Sequence, residues 1–423
     1  MSSVFTSAWC RDLMLLVLPL AMAVAVRADE VTDWHEHLLV ALATPPGDNS
    51  QIRSRNAALV SAAVFDAVNG IERRYTPIYV APNAPRGASK RAAAVQAAYV
   101  VLLDKFPLQA ADLNAKRAAS LTAIGEPDGE SLQRGVEWGQ TVAEAILQWR
   151  RTDGFTPAPP PYLGGSAIGQ WRPTPTAFRP GAVPQFATMT PWAILSPDQF
   201  LPAGPPALDS QQYLSDYDEV RLMGSLTSPL RTADETDACR FWESAGPTAH
   251  WDRLALDLVA TADTDLSENA HLLATLNLAI ADAVIACWNS KYHYEFWRPV
   301  TANPLADTDG NPDTIADPTW EPLLPTPAHP EYTSGHSCAS SAAVTVLADY
   351  FGDDTPFLLQ SPAAPGWVRY YPSFSAAIDE VADARVFAGI HFRTACRDGT
   401  ILGSKVAGFI LENRMRRVHG EGE

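Results

Sequence analysis

Three short stretches in the C-terminal half of the chain hold residue types that can gather an anion and move protons on it. The first is KYHYEFWRP, in which Lys291 and Arg298 stand seven residues apart. On one continuous helix that spacing is almost two turns, so both cations would leave nearly the same face, about 10 Å apart along the axis. Trp288, Phe296 and Trp297 surround them, which predicts partial burial rather than a solvated face. Glu295 falls on the same stripe and is expected to pair with the cations and set their rotamers. His293, two residues from Lys291, faces another way and reads as a surface or core histidine.

The second stretch is EYTSGHSCASS, residues 331 to 341, where a proline-rich loop gives way to an alanine-rich, helix-like run. A helix N-terminus offers unpaired N–H groups and a partial positive charge, a natural seat for an anion. Gly335 lets the backbone approach closely, Ser334 offers a hydroxyl, and His336 stands where it can give or take a proton. The third is ARVFAGIHFRTACRDG. Arg385 and His391 are six residues apart and would diverge by about 120° on one straight helix, so they converge only if the chain breaks, and Gly389 is the expected break.

The elements that must position these residues read as helices. Apolar residues recur at three- and four-residue intervals over Arg53 to Ile71, Ser89 to Phe106 and Glu130 to Arg151, with Gly154 closing the third. Helical patterns resume at Gln211, and the longest covers Ser267 to Trp297. Between them, from Thr156 to about Pro206, prolines and glycines forbid a regular helix. Trp171, Phe178, Phe186 and Trp192 are too apolar for a disordered linker, which predicts an ordered loop draped over the protein. The expected fold is all-α: a helical bundle over 29–155, a connecting segment over 156–208, and a second bundle over 209–423 that carries the site.

Lys-x6-Arg-Pro, then Ser-Gly-His, then Arg-x5-His, in this order over residues 285 to 410, resembles the signature of the vanadium-dependent haloperoxidases and type 2 phosphatidic acid phosphatases. FDAVNGIERRYTP (65 to 77) and GQWRPTPTAFRP (169 to 180) are similar to the bacterial haloperoxidase-like branch. The resemblance implies that Lys291, Arg298 and Arg385 neutralise the oxygens of vanadate or phosphate, with Ser334 and the backbone of Gly335 adding hydrogen bonds. It implies that His336 is the acid–base group and that His391 bonds to vanadium or attacks phosphorus. Trp288 and His329 look like pocket residues, and a histidine at 329 points to bromide or iodide rather than chloride. Thr333 replaces the usual proline and Ala384 the usual serine. Ala395 stands where the family often has an aspartate that orients the metal-binding imidazole, and Asp398, one turn further, is the candidate substitute.

Three functions follow from the resemblance. With vanadate as cofactor the protein would use hydrogen peroxide to oxidise a halide, passed on to a small organic acceptor. Without a metal the same His391 would form a phosphohistidine on a phosphomonoester. In the third, loss of the carboxylate at Ala395 leaves an inactive oxyanion-binding protein.

Composition narrows the partners further. Acidic residues outnumber basic ones 48 to 31, which argues against nucleic acid and anionic membrane surfaces. The first 28 residues carry Arg11, an apolar stretch from Leu13 to Val26 and small residues ending at Ala28, the pattern of an export signal. No later stretch reads as a membrane span, so the mature chain is expected to be exported and soluble. Cys239, Cys287, Cys338 and Cys396 then remain, read first as small buried residues and second as one or two disulfides. DTDGNPD, residues 307 to 313, is spaced like a calcium loop, but Pro312 and Pro318 replace its glycine and closing glutamate, so it reads as a solvated acidic turn. RMRRVHGEGE at the end reads as a frayed tail.

Overall fold

The computed structural model describes residues 29–44, 49–126 and 128–418, so the expected export signal lies outside the described residues. Its helices run in chain order α1 (Glu30–Ala43), α2 (Ser50–Glu72), α3 (Lys90–Lys105), α4 (Ala110–Ile124), α5 (Gly129–Trp149), α6 (Gln211–Met223), α7 (Ala233–Glu243) and α8 (Pro247–Val259). They continue as α9 (Leu266–Tyr294), the short α10 (Pro299–Ala302), α11 (Gly335–Phe351), α12 (Phe374–Phe387) and α13 (Arg393–Asn413). An antiparallel hairpin, β1 (Phe357–Gln360) with β2 (Val368–Tyr371), pairs Phe357 with Tyr371. Among the described residues the fold is all-α apart from this hairpin. Periodicity located α2, α3, α5 and α9 but passed over α1, α4 and the hairpin.

Polar side chains set the helix starts. Asp29 caps α1 and Asp265 caps α9, each in a reciprocal box with the residue three positions on, Thr32 and Glu268. One apolar core then runs without interruption from Val31 and Trp34 on α1, through α2, α3 and α5, to α9, α11 and α13. The halves expected on either side of the proline-rich segment therefore share packing through α2 and α9. Helix α9 is long and apolar enough to cross a membrane by composition, contrary to the sequence reading. However, 94% of its most apolar window is buried inside the protein. Gly403 of α13 lies so close to α11 that a Cβ there would stand 2.0 Å from the Cys338 carbonyl oxygen.

The proline-rich segment is ordered, and a carboxylate holds it. Asp282 on α9 accepts the consecutive amides of Trp192, Ala193 and Ile194 at 2.7, 2.8 and 2.9 Å. Asp66 on α2 does the same for Ile78, Tyr79 and Val80. Trp171, Phe186 and Trp192 are buried as expected, whereas Phe178 is 61% exposed. The end of the chain is not frayed as far as it is described: Val418 donates to Arg74 O at 2.9 Å and Met415 is buried. All four described cysteines are buried free thiols. In the acidic turn, Asp309 and Asn311 are buried and bonded to each other at 2.8 Å, and no group of potential metal ligands occurs among the described residues.

Asp282→Ala should leave three buried amides without an acceptor, lowering stability by about 3 kcal/mol or more in urea titrations; an unchanged midpoint would contradict this role. A second buried acid makes a pH prediction. Asp252 is fully buried with one partner, Asn277 at 2.8 Å, and burial pushes its pKa up to about 7. The folded chain therefore binds more protons than the unfolded one between the ordinary aspartate range and pH 7, and stability falls as pH rises through that window. Asp252→Asn should be more stable than wild type at pH 8 and lose that advantage at pH 4, as thermal melts at the two pH values would show.

Candidate active site

Helix α9 delivers Lys291 near its C-terminus and then stops. Glu295 takes a left-handed backbone, φ 51°, and its N–H closes on Lys291 O at 2.9 Å. From there the chain runs extended beside the proline-rich segment: Trp171 N donates to Glu295 O at 2.6 Å and Trp297 N to Gly169 O at 2.9 Å. Lys291 and Arg298 thus do not share a helical face, because Arg298 caps the separate helix α10. The expected ion pair of Glu295 with either cation is also absent among the described residues, and Lys291 finds different partners. Its ammonium donates to the carbonyls of Pro330 at 3.0 Å, Glu331 at 2.9 Å and Thr333. Three N–H bonds go to one loop, and burial pushes Lys291 down to about 8. His293 is exposed, as expected.

Arg298 is the most connected side chain of the site. It is fully buried, and Nε donates to His329 O at 3.0 Å. Nη1 reaches Ile390 O at 2.5 Å and His391 Nε2 at 3.2 Å, while Nη2 reaches His329 Nδ1 at 2.9 Å. A guanidinium only donates, so both imidazole nitrogens it meets must be lone-pair nitrogens. The 3.1 Å approach of His329 Nδ1 to Pro330 O is therefore not a hydrogen bond. His329 stacks obliquely on Trp288, with ring centroids 4.9 Å apart.

The Ser-Gly-His stretch opens α11 as its spacing predicts. Ser334 Oγ caps the helix, accepting from Ser337 N at 3.4 Å and from Ser337 Oγ at 3.0 Å, which leaves the Ser334 hydrogen to donate elsewhere. Gly335 begins the helix, where amides lack an intrahelical acceptor. His336 Nε2 donates to Trp242 O at 3.2 Å, so Nδ1 is the nitrogen available as a base. Burial, then the Arg385 charge, holds His336 well below the ordinary histidine range.

The third stretch breaks where expected. Helix α12 ends at Phe387 and Gly389 turns at φ 77°, so close to Gly224 O that an added Cβ would lie 2.4 Å away. This brings Arg385 and His391 toward one point. Arg385 is 1% exposed; Nη2 pairs with Glu243 at 2.7 Å, while Nε and Nη1 are buried without a partner. Burial holds His391 well below its ordinary range, and the charges of Arg298, Lys291 and Arg385 act on it in the same direction.

Lys291, Arg298, Ser334, Gly335, His336, Arg385 and His391 thus converge, with Trp288 and His329 beside them. The residue that sequence reading passed over is Glu331, whose carboxylate meets His391 Nδ1 at 2.8 Å. Asp398 does not take that place, because it accepts from Tyr332 at 2.7 Å and Arg397 at 3.0 Å. Three buried cations face two carboxylates, and two buried donors of Arg385 have no acceptor. That donor set fits a small tetrahedral or bipyramidal oxyanion such as vanadate or phosphate. A separate cleft, about 510 Å³ and lined by Tyr75, His271 and Tyr350, lies about 30 Å away toward the other end of α9 and is not part of this site.

Comparison with known proteins agrees with this arrangement. Residues 271–420 match the family model of the VCPO second helical-bundle domain. The vanadium chloroperoxidase of Curvularia inaequalis is 26% identical over 294 residues, 52% of this chain and 48% of that protein. A bacterial vanadium-dependent iodoperoxidase superposes with a TM-score of 0.78 at 25% identity, over 93% of this chain and 97% of that one. The chain is thus similar to the vanadium haloperoxidases, through the family model in its C-terminal part and through the fold over most of its length. The vanadium-dependent bromoperoxidase of Corallina pilulifera is 30% identical over 123 residues, 25% of this chain and 20% of that protein. A bacterial vanadium-dependent chloroperoxidase shares the fold at 19% identity and a TM-score of 0.68. The chain spans about half the length of the Curvularia relative that it matches.

Arg298→Lys keeps the charge but loses the fork, stranding acceptors on His329, Ile390 and His391. It should lower stability by at least about 2 kcal/mol in urea titrations. A variant as stable as wild type would show that the fork does not organise the site.

Proposed function

We propose that the protein is a vanadium-dependent haloperoxidase that oxidises bromide or iodide with hydrogen peroxide, for transfer to a small organic acceptor. The observation that carries this reading is the lone pair of His391 Nε2, held among three buried cations with donors of Arg385 left over. Arg298, Arg385, the Ser334 hydroxyl and the amide of Gly335 would hold the vanadate oxygens, and His391 Nε2 would anchor the metal. Vanadate, when bound, supplies a Lewis acid that activates peroxide toward attack by halide.

The chain's own residues do the rest. Nδ1 of His336 receives a proton from incoming peroxide, since its Nε2–H is already committed to Trp242 O. Lys291 holds the 330–333 loop by its three carbonyl bonds and adds positive charge to the pocket. Trp288 and His329 form one wall, and the iodoperoxidase likeness together with His329 favours a soft halide. A phosphatase working through His391 would use the same lone pair and is the competing outcome. The N-terminal leader pattern supports export, where extracellular halide and peroxide would be met.

The apo protein, given vanadate, peroxide and bromide or iodide, should halogenate an acceptor dye only when vanadate is present, and His391→Ala should lower that rate at least about 100-fold. Hydrolysis of p-nitrophenyl phosphate that vanadate inhibits, without halogenation, would replace this reading with the phosphatase. Vanadate binding with neither activity would leave an oxyanion-binding protein.

A further inference from the structure

The sequence resemblance leads one to expect a carboxylate four residues after the second histidine, and this chain has none there. Ala395 occupies that position, buried, and its carbonyl accepts Ser334 N at 2.9 Å. His391 is nonetheless not left without an orienting acid. Glu331, 60 residues earlier and fully buried, places Oε1 at 2.8 Å from His391 Nδ1. The same oxygen accepts Phe392 N at 2.9 Å, so the carboxylate grips the backbone next to the ring as well as the ring itself. Its main chain is equally tied: Glu331 N donates to Phe296 O at 2.9 Å, and Glu331 O accepts from Lys291 at 2.9 Å.

A neutral imidazole has one N–H and one lone pair. Arg298 donates to Nε2, so the proton sits on Nδ1, facing the Glu331 acceptor. We propose that Glu331 is the positioning residue of His391, fixing the Nδ1–H tautomer and the ring rotation so that the Nε2 lone pair faces the oxyanion cage. The carboxylate comes from the loop ahead of Ser-Gly-His, where it joins all three motif stretches at one residue. This inference rests on the proposed function only in taking His391 as the group that contacts the oxyanion. The tautomer itself does not depend on that reading.

Long-range 1H–15N spectra of metal-free, 15N-histidine-labelled protein read the tautomer directly. Wild type should show a protonated Nδ1 and a pyridine-like Nε2 for His391; a protonated Nε2 overturns the proposal before any variant is made. Glu331→Gln keeps an acceptor oxygen and should retain the tautomer, with orthovanadate affinity within a few-fold of wild type. Glu331→Met keeps the bulk without an acceptor, and should lose the single tautomer and weaken orthovanadate binding about 10- to 100-fold. A Met variant with the wild-type tautomer and affinity also overturns the proposal. If wild type binds neither vanadate nor phosphate, the functional reading fails while the spectra still decide the role of Glu331.

Discussion

A lysine and two arginines buried side by side repel one another and lose their hydration, so each must find acceptors inside the protein. The rest of this structure follows from how that cost is met. Lys291 is solvated by carbonyl oxygens of one loop and Arg298 by two carbonyls and two imidazoles, all of them uncharged acceptors. Arg385 receives a carboxylate on one edge only, and its Nε and Nη1 donors are buried without a partner. Burial pushes Lys291 down to about 8 and Arg298 down to about 10, because loss of water disfavours the charged form of each.

That arrangement explains why an acidic chain can hold an anion site. The general field of the protein is negative, but the core around the cationic pocket excludes the water that would screen its local positive charge. The scaffold's contribution is rigidity. Helix α9 is buried along almost its whole length, α13 packs tightly on α11, and the proline-rich segment is fastened to α9 through Asp282. Three stretches scattered over about a hundred residues are thereby held at fixed separations, which is what distinguishes a preorganised oxyanion cage from a cluster of surface charges.

Much of this was legible in the sequence because residue order alone carries the motif. The helix start at Ser-Gly-His, the break at Gly389 and the apolar anchors Trp171, Phe186 and Trp192 follow from local rules. Other features do not. The end of α9 at Tyr294 depends on Gly169 and Trp171 pairing with residues 295–297, a contact across more than a hundred residues that periodicity cannot register. Phe178 is apolar yet exposed, because nothing in the single sequence says which of several aromatics the loop will turn outward. Glu331 was missed for a similar reason. A glutamate two residues before Thr333 looks like any loop acid until the fold places His391 beside it. The one available hint was an acid embedded in an otherwise apolar and proline-rich stretch.

Whether the cage holds an oxyanion through His391 is the point on which the account turns, and a crystal structure of the protein soaked with orthovanadate tests it most directly. The account predicts vanadium bonded to His391 Nε2, with Arg298 shifted from that nitrogen onto the vanadate oxygens and the free edge of Arg385 engaged. Vanadate bound elsewhere, with Arg298 still donating to His391, would contradict it.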